Sequence, residues 1–436
     1  ADGITEMLIT NLAKLSTLKV ISRTSVMRFK NTKLLLTEIA TTLGVGAVLE
    51  GTVSRLNNGL RVTAQLIDAR DDTHLWAETF ERPFTEVLRL QDEVTRAIAS
   101  HVGERLSPRD EERLSRSAAV LPEAMDAYLK ARHHWSFRSR GDFEMAILYY
   151  QRAIDLEPGC ALFHAGLGNT YIFMGLYGLL RPIAAFDEAE QHGRQALLAD
   201  PSSEGAQHVL AAVRLFRDWD LVGARDDLET VHHLLPGDPV ICLTLAGAHT
   251  AQRDFERAVE LMRRSVELDP LDGGMQMNLG DHLVMAGRHD EGVRQLETTV
   301  AQYPHLQRAR VRLARALVQS GRADSALELL EDAPLIAGTA LEVEAARAYV
   351  QAAAGDRDGA HRCHQRALEL SGDQAFPPLQ EAEIHAWLGN REAAFDYLDR
   401  ALDERTGWMI FLDLEPAFDS LRNDKRYRAL RARIRA

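Results

Sequence analysis

The 436-residue chain has few cysteines, no long apolar run and a shortage of basic residues. Its three cysteines, Cys160, Cys242 and Cys363, lie far apart, which excludes a disulfide framework. No run of about 18 apolar residues occurs, so we expect no membrane-spanning helix in this chain, although one upstream would be compatible with it. Lys and Arg number 51 against 64 Asp and Glu, for a net charge of -13. Such a chain repels phosphates, which argues against direct nucleic-acid binding.

The sequence also lacks the short motifs of common catalytic sites. None of the patterns GxxxxGKS/T, GxGxxG, HExxH, GxSxG, HRD or DFG occurs. The glycine-rich stretch GVGAV (44–48) connects a predicted helix to a predicted strand, which is the reverse of a phosphate-binding loop. We therefore expect no catalytic residues and no cofactor here, and any enzymatic activity would belong to a domain outside this chain.

A helical pattern, by contrast, recurs along most of the chain. Residues 141–159, GDFEMAILYYQRAIDLEPG, place their apolar side chains on one helical face and end at Pro158. A proline returns after an amphipathic helix, at spacings of 43, 35, 34 and 34 residues, at Pro201, Pro236, Pro270 and Pro304. A small residue also stands five places after the glycine of a turn, at Ala146, Gly292, Ala326, Ala360 and Ala394. We predict that these small residues lie where two helices touch closely.

A period near 34 residues with two helices per unit resembles the tetratricopeptide repeat, an all-α solenoid. Gly168 and Gly280 stand at the offsets that this repeat uses in its first helix. We count about eight units, at residues 127–158, 161–201, 205–236, 239–270, 273–304, 307–334, 341–372 and 375–406. Residues 106–126 are expected to form a helical linker before the units, and residues 407–436 to form capping helices in which Trp408 and Phe418 seal the last unit.

Residues 1–105 follow a different period and predict a small α+β domain. The stretches 47–56 and 60–69 flank Asn57-Asn58-Gly59, which is a strong hairpin signal. A third strand is predicted at 74–82 and an earlier one at LKVISR (18–23), giving a small mixed sheet. Helices are predicted at 37–44, ending at Gly44, at 85–105 with Val87, Leu90, Val94 and Ile98 inside, and at the start of the chain with Ile4, Leu8, Leu12 and Leu15 on one stripe.

The segments ADGITEMLITNLAKL, VISRTSVMRFK, EIATTLGVGAVLEGTV and VTAQLIDARDDTHLWAETFER resemble the TolB amino-terminal-like (FlgO-like) domain. In bacteria this domain is fused to tetratricopeptide arrays in CadC-like regulators, Ser/Thr kinases and nucleotide cyclases, and the resemblance extends to GWMIFLDLEPAFDSLRNDKRYRALRARI (407–434). The family's domain opens with an apolar strand before ADG, which is absent here. The resemblance implies a fragment whose output domain lies upstream. It favours the periplasmic side of an inner-membrane protein over the cytoplasm as the location of the residues in this chain.

The repeat family's best-known ligand chemistry is a carboxylate clamp in its concave groove. Asn278 of the fifth unit and Arg308 and Arg312 of the sixth match clamp positions, whereas Leu243 and Gly247 of the fourth unit depart from the pattern. The resemblance thus implies a groove site for a protein or peptide, including acidic ones, at Asn278, Arg308 and Arg312. Guanidinium groups suit this role because they bind carboxylates in a bidentate manner.

One helix carries residues that suit either metal binding or ordinary packing. His361, Cys363 and His364 are the best metal candidates, since His361 and His364 share a helical face. Position 364 is also where a repeat buries an apolar residue, and no fourth ligand is evident, so we predict no metal site.

The combined prediction is a non-catalytic sensor or scaffold region of a bacterial signalling or transcription-regulatory protein, which binds a protein or peptide in the repeat groove. The alternative is a small-ligand receptor with a pocket at the junction of the two domains, controlling an upstream output domain.

Overall fold

The computed structural model describes residues 5, 8–9, 12–13, 18–56, 59–83, 87–102, 120–137, 139–331, 339–372 and 376–434. A small sheet and short helices occupy the first hundred residues, and helices account for nearly everything after them. The chain is therefore a small α+β part followed by a helical array, as predicted.

The sheet has three strands, β1 (Ala47–Leu56), β2 (Gly59–Asp68) and β3 (Thr73–Pro83), in the order β1-β2-β3. Both pairings are antiparallel, with Val62 of β2 opposite Val53 of β1 and Phe80 of β3. The antiparallel pairing of β1 with β2 confirms the predicted hairpin, and alternate residues of β2, among them Val62, Ala64 and Leu66, are buried. Asn57 and Asn58 of the turn lie outside the described residues.

The prediction of a mixed sheet with a strand at 18–23 is wrong for the part of the chain that the structure describes. Residues 18–22 form no strand, and Arg23–Val26 is a short helix. The reason is a competing set of bonds with the helical array: Ser22 N donates to the Leu268 carbonyl at 2.8 Å. The Ser22 amide is thus bound to the array and not to a sheet edge.

The helices of the N-terminal part agree with the predictions wherever they are described. Leu36–Leu43 ends at Gly44, whose φ of 63° is the left-handed conformation that stops a helix. Val87–His101 buries Leu90, Val94 and Ile98. At the start of the chain Leu8 and Leu12 are buried, whereas Ile4, Leu15 and the Val87 side chain lie outside the description.

Eight pairs of helices follow in the described part of the chain, and the two helices of each pair pack on each other. They are Pro122–Trp135 with Arg140–Leu156, Ala161–Leu176 with Pro182–Ala199, Glu204–Phe216 with Leu221–Leu234, Pro239–Ala251 with Phe255–Leu268, Gly273–Met285 with His289–Gln302, Gln307–Gln319 with Ala323–Glu331, Ala340–Ala354 with Arg357–Ser371, and Pro378–Trp387 with Arg391–Asp403. These are called pairs one to eight below, each with a first and a second helix. Pair one begins at Pro122, ahead of the predicted position 127. Residues 103–119 lie outside the described residues, so the predicted domain boundaries stay predictions.

The turns within and between pairs explain the period of the sequence. Pro158, Pro201, Pro236, Pro270 and Pro304 each lie just beyond the end of a second helix, as predicted. Inside the pairs, a left-handed residue recurs at intervals of 34, at Arg253, Gly287, Gly321, Gly355 and Gly389. Glycine suits four of these five turns because it adopts a positive φ without steric cost.

Close helix contacts lie at the predicted small residues. Ala146, Ala326, Ala360 and Ala394 are fully buried. A Cβ placed on Gly292 would come within 2.5 Å of Val284 Cγ2 and 2.9 Å of the Gly280 carbonyl oxygen. Because the two helices of a pair approach this closely, larger residues at these positions would force them apart.

The first helices form one layer and the second helices another. In every neighbouring combination, the first helices of adjacent pairs contact one another directly. From pair one to pair six, each second helix also packs on the first helix that follows it. First helices therefore line the inner, concave side of the array, and a continuous apolar core extends from Ile172 to Ile434.

The N-terminal part is joined to the array at two places. The buried face of the sheet shares one apolar core with pair one, where Phe143 and Tyr150 are fully buried. Farther along, Ser25 Oγ donates to Asp269 Oδ1 at 2.6 Å and accepts from Leu271 N at 2.8 Å, in the turn between pairs four and five. Ser25 and Asp269 are buried, so these hydrogen bonds hold the N-terminal part against the turn between pairs four and five.

We expect Gly292→Ala to destabilise the array, because its methyl group would meet Val284 and the Gly280 backbone. Overpacking of this kind costs about 1–3 kcal/mol, more than the gain of up to about 1 kcal/mol from better helix propensity. Thermal denaturation followed by circular dichroism measures the effect.

Gly141→Ala is the matched control, since Gly141 is helical, exposed and has no atom within 4 Å of an added Cβ. It should keep or raise the melting temperature. Equal melting temperatures for the two variants would contradict the close packing described here.

Candidate partner-binding groove

The concave side of the array holds residues from the far end of the same chain. Two 3-10 stretches, Gly407–Leu414 and Pro416–Leu421, follow pair eight. The first contacts the first helices of pairs two, three and four, and the second contacts the first helix of pair eight. Residues 407–421, called the groove segment below, thus lie along the surface where a repeat array would bind a peptide.

Apolar contacts fix the start of the groove segment. A Cβ on Gly407 would lie 2.9 Å from Leu176 Cδ2 and 3.2 Å from Phe186 Cζ, so a larger residue there would push these side chains aside. Trp408 Nε1 donates to the Leu176 carbonyl at 2.7 Å. The prediction that Trp408 seals the last unit is therefore wrong, because its indole binds pair two. Phe418 is fully buried beside the first helix of pair eight.

A buried polar network fixes the other end of the groove segment. Glu415 Oε2 lies 2.7 Å from Arg315 Nη2, and Tyr349 OH donates to Glu415 Oε1 at 2.7 Å. Arg315 Nη1 binds Glu383 Oε2 at 2.8 Å, and its guanidinium lies 4.1 Å from the centre of the Tyr349 ring. One arginine thus links three repeat pairs to the groove segment.

Burial sets the protonation of this network. It raises the pKa of Tyr349, and the Glu415 charge raises that pKa further, so the phenol stays a hydrogen-bond donor. Burial alone would lower the pKa of Arg315, but Glu383 and Glu415 outweigh it and hold the pKa above its ordinary value. Burial also raises the pKa of Glu383, and the Arg315 charge opposes that shift. The arginine is therefore the group on which the network depends.

The predicted clamp residues already have partners within the chain. Arg308 Nη2 lies 3.0 Å from Glu342 Oε1, and its guanidinium stacks 3.8 Å from the centre of the Tyr177 ring. Arg312 Nε lies 3.1 Å from Asp281 Oδ2 and its guanidinium 5.2 Å from the centre of the Trp408 ring.

Asn278 does not point at either arginine's carboxylate, since its Nδ2 donates to the Gly274 carbonyl at 2.8 Å. Sequence reasoning placed Arg308 and Arg312 on the first helix of pair six but missed the acidic groups opposite them. The sequence contained a signal for one of these acidic groups, because Glu342 follows Arg308 by 34 residues, which is one repeat length. Likewise Glu383 follows Arg315 by 68 residues, two repeat lengths.

These contacts close the array on itself. Tyr177 follows the first helix of pair two, yet it meets Arg308 of pair six, and Gly178 lies beside Pro377 at the entry to pair eight. The array therefore curls until its second pair approaches its sixth and eighth, with the groove segment inside.

A cavity of about 470 Å³ lies elsewhere, in pair one. All of its lining residues come from the two helices of that pair: Pro122, Glu123, Asp126, Ala127, Lys130, Tyr149 and Arg152. This cavity does not lie between the sheet and the array. The alternative hypothesis, a ligand pocket at the junction of the two domains, therefore stays a prediction.

Comparison with known proteins agrees with this geometry. Family models described as tetratricopeptide repeat match residues 134–162, 243–304 and 283–349. The chain contains tetratricopeptide repeats. In the described part of the chain, no helix combines the length and apolar character that crossing a bilayer requires.

The repeat protein has relatives in both sequence and structure. Putative adenylate cyclase 3 of Rhizobium meliloti (strain 1021) is 38% identical over 168 residues, which are 38% of this chain and 28% of that protein. The chain thus spans well under two thirds of that relative. A monomeric mutant of human IFIT1 with Gppp-AAAA has a TM-score of 0.51 at 12% identity, covering 80% of this chain and 86% of that one. The repeat protein TTC0263 of Thermus thermophilus has a TM-score of 0.37 at 18% identity, covering 45% and 99%.

We expect Glu415→Ala to loosen the groove segment, because Tyr349 loses its acceptor and Arg315 loses one of two carboxylates. Leaving buried polar groups unpaired costs about 1–3 kcal/mol each. Hydrogen exchange should therefore speed up in residues 407–421, and the melting temperature should fall.

Glu392→Ala is the matched control, since Glu392 binds Arg426 at 2.8 Å but is exposed. Exposed ion pairs contribute little, so this variant should be nearly silent in both measurements. Unchanged exchange of residues 407–421 in Glu415→Ala would show that the network does not hold the segment.

Proposed function

We propose that this chain is a non-catalytic, partner-binding region of a bacterial signalling or transcription-regulatory protein, and that the partner binds the concave side of the repeat array. The observation that carries the proposal is the groove segment: an aromatic, apolar and acidic stretch of chain fits along the first helices through hydrogen bonds and an ion pair. Tetratricopeptide arrays in general mediate contacts between proteins, which is in accord with this role.

The chemistry of the groove favours one class of partner. Leu176 offers a carbonyl to an indole, and Arg315 and Tyr349 together bind a carboxylate. A peptide with an aromatic residue followed at a distance by an acidic one would reproduce these contacts. Arg308, Arg312 and Asn278 remain proposed groove residues, and a partner carboxylate there would compete with Glu342 and Asp281.

The regulatory context rests on resemblance. A relative named as a putative adenylate cyclase is 38% identical to this chain over 168 residues, and the N-terminal part resembles domains found beside cyclases, kinases and CadC-like regulators. We propose that the output domain lies upstream and that the N-terminal α+β part, attached at pair one and at the turn between pairs four and five, transmits changes in the array to it.

A peptide added in trans tests the groove directly. The probe is a labelled peptide of residues 405–424, and the receptor is the full chain with Trp408→Ala and Glu415→Ala, which loosens its own segment. We expect saturable binding by fluorescence anisotropy to this variant and much weaker binding to the unaltered chain, whose groove is filled.

The control peptide carries alanine at positions 408 and 415, and circular dichroism checks that the receptor keeps its helices. Absence of binding to a fully helical receptor would overturn the groove proposal. Equal binding of both peptides would show adhesion without the recognition described here.

A further inference from the structure

Three metal-ligating side chains meet between pairs seven and eight, outside the groove. His364 belongs to the second helix of pair seven, and Glu381 and His385 stand one turn apart on the first helix of pair eight. One donor atom of each lies within 4.8 Å of the donor atoms of the other two. The sequence spacing hid this set, because its members come from different repeats.

The contact between His364 and Glu381 is short but is not a hydrogen bond. His364 Nε2 lies 2.6 Å from Glu381 Oε2, and both atoms lack a hydrogen-bond partner among the described residues. Glu381 is 3% exposed and His364 is 9% exposed. These two buried polar atoms make no hydrogen bond among the described residues, and a shared cation would give each of them a partner.

Neighbouring side chains hold the two imidazoles in place. Tyr397 stacks on His385, with ring centroids 5.3 Å apart and an interplanar angle of 8°, and Phe376 packs on the edge of His364. His385 Nε2 faces Glu381 at 3.9 Å, while its Nδ1 lies 3.3 Å from the Asn390 amide. Turning that amide would let its oxygen accept the Nδ1 proton, the usual outer partner of a metal-bound histidine.

We propose that His364, Glu381 and His385 bind one Zn²⁺-like transition-metal ion that ties pair seven to pair eight. Two imidazole nitrogens and one carboxylate oxygen are a zinc donor set, whereas Ca²⁺ and Mg²⁺ prefer oxygen ligands alone. Donor atoms on a tetrahedral ion are roughly 3.3 Å apart, given bonds of about 2.0–2.2 Å. Small side-chain rotations reach this spacing, and water fills the fourth position on the partly exposed His385 side.

The two other metal candidates of the sequence do not join the site. His361 is exposed, and Cys363 lies beside Glu344 on another side of its helix from His364.

Calorimetric titration of the full chain tests the site, with Zn²⁺ added after chelator treatment and dialysis. We expect one ion per chain and a rise in melting temperature with added Zn²⁺, because an ion that binds only the folded state stabilises it. Glu381→Gln and His364→Gln should each weaken binding by more than about 100-fold, since even outer partners of a ligand contribute about 10–100-fold.

His305→Ala is the control, because His305 is exposed and distant in sequence from the cluster, and it should bind Zn²⁺ like the unaltered chain. Absence of stoichiometric binding in the unaltered chain would reduce the cluster to a His–Glu ion pair and overturn the proposal. So would unchanged affinity in a Glu381→Gln variant that keeps its helix content.

Discussion

Everything in this molecule depends on how closely the two helices of a pair approach each other. A helical hairpin exposes more apolar surface than it can bury alone, so stability comes from stacking the next hairpin against it. Each hairpin packs closely only if the side chains between its two helices are small, and Ala146, Ala326, Ala360 and Ala394 accordingly have no exposed surface. First helices of adjacent pairs contact one another and form the inner layer, and the second helices form the outer one.

Curvature brings distant repeats together and creates an interior that is partly polar. Arg315 lies inside this curve, and burial of a guanidinium is expensive unless carboxylates surround it. The chain supplies one from pair eight, Glu383, and one from the groove segment, Glu415. Removing the groove segment would leave Arg315 with one carboxylate in place of two and would expose the apolar groove to water. The segment is thus part of the folded core as well as an occupant of the groove, and any partner that replaces it must offer both an apolar residue and an acid.

The sequence was most informative where the structure repeats. A proline beyond the second helices of pairs one to five, a small residue after five of the turns and a period of 34 are local consequences of a repeated packing problem, so the helical array could be predicted from them. The closing of the array on itself could not be predicted, because it results from small rotations between neighbouring pairs that add up along the array. Glu342 and Glu383 fall at whole repeat lengths from their arginines, but Glu415 lies 100 residues from Arg315 and belongs to no repeat. The strand expected at 18–23 failed for a similar reason: Ser22 and Ser25 bind a turn more than 240 residues away.

A filled groove changes what partner affinity means. A tethered segment faces its site at an effective concentration that reaches the millimolar range for short connections, so the proposed partner would have to compete with it. The partner's apparent affinity equals its intrinsic affinity multiplied by the fraction of time that the groove stands open. Weakening Trp408 or Glu415 contacts therefore raises partner binding without altering any residue of the groove itself. Occupied and empty grooves also differ in how firmly pairs two and eight are joined, because the segment spans both. Under the function proposed above, loss of this brace would relax the curvature, and the bond between Ser25 and Asp269 would pass that change to the N-terminal part.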